Sequence, residues 1–165
     1  MSLPSWAVVS DGRKAHIERV AELIASWADA MDVGEREKAR WLRAAYLHDA
    51  LRNAKPESGM QHGPKAAERA EQEGERDRGV LDAVRYHTIG YAGWDDVGRM
   101  LYLADFLEPG RAFKRWKRRS WANRVPRERD VVLREVAAMR LRRVIKSGWP
   151  LPKESVEFWN SLAAR

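Results

Sequence analysis

The chain has 165 residues, 44% hydrophobic and 33% charged, with 31 Lys and Arg against 24 Asp and Glu. That length and balance predict one globular domain, spanning 1–165, and exclude a disordered acidic tail or a collagen-like chain. No apolar run reaches the roughly 20 residues of a membrane span, and the start Met1-Ser2-Leu3-Pro4-Ser5-Trp6 lacks a secretory pattern, so a cytoplasmic protein without a membrane partner is expected.

The pattern reads as helix throughout. From Arg13 to about Asp32, Ile17, Val20, Ala21, Ile24, Trp27 and Met31 form a 3.6-residue stripe, which Gly34 stops. A second helix is predicted from Glu35 to Ala54, carrying Trp41, Leu42, Ala45 and Leu47. The breakers in Lys55-Pro56-Glu57-Ser58-Gly59 predict a loop. Helical signals resume at Gly63-Pro64, where proline suits a first turn, and run to about Gly74.

The next helix is expected from Arg76 to His87, with Val80, Leu81 and Val84 inward, followed by a loop at Gly90 and Gly93. Asp95 can cap a helix to Leu107 that is apolar nearly all round and therefore central. Pro109-Gly110 ends it. A basic helix is predicted from Pro126 to Lys146, its inner stripe being Leu133, Ala137, Leu141 and Val144. Gly148 and Pro150 stop it, and Pro152 opens a short last helix with Phe158 and Trp159. No alternating run demands a sheet. The fold class is all-α.

Cysteine is absent, which excludes disulfides, thiolate catalysis, iron–sulfur clusters and cysteine–zinc sites. Metal chemistry must then use histidine and carboxylate. Of the four histidines, His16 continues the stripe of Val20, Leu23 and Trp27, His48 shares a face with Trp41 and Ala45, and His87 with Val80 and Val84. Asp49 and Asp105 sit in apolar runs, where an unpartnered carboxylate costs on the order of several kcal/mol. Adjacent helical residues diverge by about 100°, so His48-Asp49 can flank one ion or let Asp49 bridge to a second. Imidazole and carboxylate without sulfur suit Fe, Mn, Co, Ni or Zn.

The order of these motifs is recognisable. An early His, then Leu47-His48-Asp49, His62-Gly63, His87-Thr88 and Ala104-Asp105-Phe106-Leu107-Glu108-Pro109-Gly110-Arg111 resembles the HD-domain metal-dependent phosphohydrolases. More narrowly, it resembles their YqeK-type branch, the symmetrical diadenosine tetraphosphate hydrolases. The resemblance runs from Arg13 to about Asn160 and implies a single HD-type helical domain with a central metal site. It implies that His16, His48, Asp49 and Asp105 hold a first metal, iron foremost, and that Asp49, His62 and His87 complete a second site. His48 and Asp49, with Arg52, would be catalytic. Arg13 matches a basic family position near the phosphates; Arg13, Arg52 and Arg111 are candidates for steadying phosphate oxygens, with surface salt bridges as the alternative, and Thr88 is a helix-end hydrogen bonder or a substrate contact. Where the family usually has Lys three residues after the Asp of the pair, this chain has Arg52, a fork in place of a point charge. The stretch Thr88–Gly98 also departs from the usual one, with Trp94 and Asp95-Asp96.

The implied reaction is hydrolysis of a phosphoanhydride in a dinucleoside polyphosphate. Another HD-type nucleotidase or phosphodiesterase is the alternative enzyme. A different class is a nucleic-acid-binding module: between Arg111 and Arg143 there are 13 basic and three acidic residues. Phe113, Trp116 and Trp121 interleave with the charges of 111–121. Helical packing is expected to account for most of Trp116, Trp121, Trp149 and Trp159. Glu108 has two readings, a local structural carboxylate at a helix end or a group orienting Arg111 or a ligand histidine. The oligomeric state is open.

Overall fold

The apolar run Met100-Leu101-Tyr102-Leu103-Ala104 lies at the centre of the protein, every one of its side chains buried. In this computed structural model, which describes residues 1–54 and 60–163, the described residues form helices and turns without a strand. The helices are α1 Asp11–Ala30, α2 Glu35–Leu47, α3 His62–Gln72, α4 Arg78–Tyr86, α5 Asp96–Leu107, α6 Arg115–Lys146 and α7 Lys153–Ala163. The loop expected at 55–59 lies outside the described residues. No helix among the described residues is long and apolar enough to cross a membrane.

Helix α5 is capped by Asp95, whose side chain accepts from Val97 N. It packs against α1, α2, α4 and α6, while α3 lies on α4 and α7 on α6. Phe158 of α7 closes the cluster edge-on to Trp94 and Tyr102. Gly90 lets it in: at φ +88° a Cβ there would collide with the Phe158 ring, so only glycine serves. Arg40 of α2 ties two helix starts together. Its guanidinium bonds both oxygens of Asp77, at 2.7 and 2.9 Å, and Oδ2 of Asp95 at 2.8 Å. Those aspartates cap α4 and α5.

Two boundaries differ from expectation. Helix α2 ends at Leu47 rather than Ala54. His48 Nδ1 takes the Ala45 carbonyl at 2.7 Å, the acceptor that Asp49 N–H would use in a continuing helix. Ala50, Arg52 and Ala54 then close successive three-residue turns. The N-terminal segment clamps this stretch through Val8 N to Ala50 O and Asn53 N to Val8 O, at 2.7 and 3.1 Å.

Helix α6 begins at Arg115, eleven residues before the expected start, and Pro126 lies inside it. A proline there leaves the carbonyl four residues earlier without a donor and kinks the helix. The kink is at Glu128, φ −135° and ψ 37°. The freed carbonyl is that of Ala122, and Trp27 of α1 supplies the missing N–H at 3.0 Å. Beyond Ala137 the expected inner stripe fades: Leu141 and Val144 are only half-buried. Of the four C-terminal tryptophans, Trp121 is buried and Trp159 packs partly on the core, but Trp116 and Trp149 are exposed. Helical packing thus accounts for two of them, not most.

Candidate metal centre

All four imidazoles and the two aspartates of the sequence motifs are buried. Three of the rings are pinned by the nitrogen that faces away from the centre. His48 and His87 each end a helix, and each donates Nδ1–H to a carbonyl three residues back, Ala45 and Val84, at 2.7 Å. His16 turns Nδ1 to Glu108 Oε1 at 3.1 Å. A carbonyl oxygen accepts only, so His48 and His87 carry their proton on Nδ1 and present Nε2 inward.

Those Nε2 atoms converge on Asp49. Its Oδ2 lies 3.7 Å from His16 Nε2 and 3.6 Å from His48 Nε2. Its Oδ1 lies 3.0 Å from His62 Nε2 and 3.6 Å from His87 Nε2. The carboxylate therefore stands between two imidazole pairs, one on each oxygen. The ligand atoms of His16, His48 and Asp49 fall within 4.8 Å of one another, as do those of Asp49, His62 and His87. Asp105 adjoins the first group through His16, Oδ1 to Nε2 at 3.2 Å.

His62 reaches this centre because Gly63 follows it. A Cβ on Gly63 would meet the Val84 carbonyl at 2.9 Å, the Arg85 carbonyl at 3.0 Å and His87 Cε1 at 3.2 Å. The His-Gly pair is thus a close-approach device between α3 and α4.

Burial holds His48 neutral, its pKa pushed down to about 4 against the pull of Asp49. For His16, burial disfavours the charged ring, but hydrogen bonds to Asp105 and Glu108 prevail and raise its pKa. Asp49 and Asp105 are buried, which opposes ionisation, yet both stay well below the usual carboxylate range. The proximity of His48 and the hydrogen bond from His62 lower Asp49; a hydrogen bond from His16 and the charge of Arg111 lower Asp105. Glu108 overcomes burial through His16, Arg19 and Gly110 N and is held at about 2.

The donor set fits a metal ion on an observation of this structure. His48 Nε2 is fully buried and, among the described residues, lacks a hydrogen-bond partner, a costly arrangement for a lone pair unless something binds it. Neutral imidazole nitrogen beside carboxylate oxygen is the chemistry of such a ligand set.

The phosphate-contact candidates divide. Arg13 Nη1 sits 2.6 Å from Asp49 Oδ2 and Arg111 Nη2 sits 2.6 Å from Asp105 Oδ1. Thr88 Oγ1 lies 3.3 Å from His87 Nε2. Arg52 is half-buried in the turn after α2, its backbone N–H on the Asp49 carbonyl; its side chain makes no ion pair with the cluster. Glu108 is almost fully buried and bonds His16, Arg19 Nε at 2.6 Å and Gly110 N, so it both builds the helix end and orients an imidazole.

Sequence reasoning missed Arg140 and read Arg118 only as one of the charges of 111–121. Arg140 of α6 donates to the Thr88 carbonyl at 2.8 Å, stacks over Tyr102 and reaches within 3.9 Å of Asp105 Oδ2. Arg118, only 4% exposed, lies over Phe106. Both line a cleft of about 1040 Å³ that opens from Asp105 towards Trp149. The signal was periodicity: Arg140 follows Leu133, Val136 and Ala137 on one helical face.

A helical domain closed around a buried cluster of imidazoles and carboxylates defines a candidate metal-binding domain. The HD domain family model matches residues 13–140, and the chain belongs to that family. It is 35% identical over 95 residues to the symmetrical bis(5'-nucleosyl)-tetraphosphatase of Bacillus subtilis, covering 56% of this chain and 50% of the relative. It is 40% identical over 55 residues to the protein of the same name from Staphylococcus aureus, covering 33% and 28%. The matches thus span half or less of these relatives' length. A crystal structure of a predicted HD superfamily hydrolase involved in NAD metabolism, from Clostridium acetobutylicum, shares the fold. Its TM-score is 0.79 at 21% identity, over 95% of this chain and 92% of that one.

Proposed function

We propose that this chain is a metal-dependent phosphohydrolase that cleaves a phosphoanhydride in a nucleotide, with dinucleoside tetraphosphate split symmetrically into two nucleoside diphosphates. The observation that carries the reading is the convergence of four imidazoles on Asp49. The similarity to relatives named for that reaction supports the substrate.

His16, His48, Asp49, His62, His87 and Asp105 would hold one or two ions, iron first among candidates and Mn, Co, Ni or Zn behind it. Such an ion brings the pKa of a water towards neutrality and draws charge from a phosphoryl oxygen. The protein supplies the rest. Ala45 O, Val84 O and Glu108 fix three rings so that Nε2 faces inward, which keeps the ligand set pre-oriented. Arg13 and Arg111 offset the two carboxylates and would meet phosphate oxygens as negative charge builds. Arg52 and Thr88 stand next to ligand residues and would contact the same phosphates.

The test is incubation of iron- or manganese-loaded protein with diadenosine tetraphosphate. Two molecules of ADP per substrate, lost on chelation and in His48→Ala, are expected. Absence of turnover, or ATP plus AMP as products, overturns the proposal. Restoration by Mg alone contradicts imidazole ligation. A screen of mononucleotides and phosphodiesters separates the alternative nucleotidase.

A further inference from the structure

We propose that Arg118 and Arg140 form an oligophosphate subsite in the α5–α6–α7 cleft, taking the phosphates of the substrate beyond those held at the metal cluster. Its substrate rests on the proposed function; its binding chemistry stands on the cleft alone.

Arg118 is the anomaly. It is 96% buried, and among the described residues its Nε and Nη2 have no hydrogen-bond acceptor. Among those residues it makes one weak bond, Nη1 to the Phe113 carbonyl at 3.4 Å, and none of their carboxylates pairs with it. A buried guanidinium without a counter-ion is unfavourable in any folded protein. Burial, and Arg111 behind it, push its pKa down to about 10. Arg140, half-buried and bonded through Nη2 to the Thr88 carbonyl, still has one donor to spare. Its Nη1 is buried and without a hydrogen bond, Asp105 being 3.9 Å away.

Both side chains face the same cleft, and so do Arg111, Lys114 and Lys117. Two guanidinium groups with open N–H donors, in a cavity where Asp105 is the only lining carboxylate among the described residues, call for an acceptor with several anionic oxygens. Phosphate matches that fork, and a chain of phosphates matches two forks. The rim favours a nucleotide as the bearer: Phe113 and Trp149, 57% and 64% exposed, line the mouth and offer faces for a base. A nucleic-acid backbone suits the site less, because the open donors sit on the buried floor rather than along the exposed ridge of Trp116.

The experiment measures sodium tripolyphosphate binding to the full chain by calorimetry, after chelation, in wild type, Arg118→Met, Arg118→Gln and His48→Ala. Wild type and His48→Ala are expected to bind alike, with affinity falling as salt rises. Arg118→Met and Arg118→Gln are expected to bind at least tenfold more weakly while melting at the same or a higher temperature, since an unpaired buried charge is gone. If either folded Arg118 variant binds as wild type does, the subsite is refuted. Failure of wild type to bind at millimolar concentration also refutes it, as does stoichiometric displacement of tripolyphosphate by a random single-stranded oligonucleotide. Because His48→Ala is included and no turnover is read, failure of the hydrolase reading leaves this result unaffected.

Discussion

Trp27 of α1 donates its indole N–H to the carbonyl of Ala122 in α6, the acceptor that Pro126 leaves vacant. The bond joins the helix carrying His16 to the helix carrying Arg118 and Arg140. Trp27→Phe keeps the ring but strands a carbonyl, and is expected to cost about 1–3 kcal/mol in urea unfolding. In a Pro126→Ala background the helix supplies its own N–H, so the same substitution should cost clearly less. Equal costs in both backgrounds would show that the indole bond carries no such role.

Arg40 predicts a pH dependence away from the metal cluster. Its hydrogen bonds hold Asp77 at about 2 against an ordinary 3.8. A folded pKa below the unfolded one adds stability above about pH 4, and that contribution is lost as pH falls towards 2. Arg40→Met should therefore reduce stability by about 1–2 kcal/mol at pH 7, water screening part of the shift. The gap from wild type should close between pH 4 and 2 in denaturation measured across that range. A gap that persists at pH 2 would assign the loss to packing instead.

Gly63 and Gly12 make a matched pair. A methyl group on Gly63 meets two carbonyls of α4 and the His87 ring, whereas one on Gly12 meets nothing within 4 Å. Gly63→Ala is expected to cost about 1–3 kcal/mol by forcing α3 from α4 and to weaken metal binding by displacing His62. Gly12→Ala should be neutral or stabilising by up to about 1 kcal/mol. Thermal melts with and without metal check both.

Much of the centre was legible because helical periodicity reports which face is inward. His16 falls on the stripe of Val20, Leu23 and Trp27, and Asp105 inside the most apolar run, so their burial could be anticipated from spacing alone, although Leu23 itself is only half-buried. That fold reading agrees with the all-α structure and the HD family match. Helix ends were less legible. His48 stops α2 by taking a carbonyl with its side chain, and no propensity records that bond. Pro126 reads as a helix start until a donor from a distant tryptophan is known. Arg118 and Arg140 look like two more charges in a basic run; only tertiary packing distinguishes the buried Arg118 and half-buried Arg140 from the exposed Lys114 and Arg119.

The central claim is that His16, His48, Asp49, His62 and His87, with Asp105, enclose a metal. Anaerobic titration of the chelated protein with ferrous or manganous ion, read as ions bound per chain and as shift in melting temperature, tests it most directly. One or two ions should bind and raise the melting temperature, since a ligand bound only to the folded state stabilises it; His48→Ala should lose both effects. A wild-type protein that takes up neither these ions nor Co, Ni or Zn, and whose melting temperature does not move, would contradict the account.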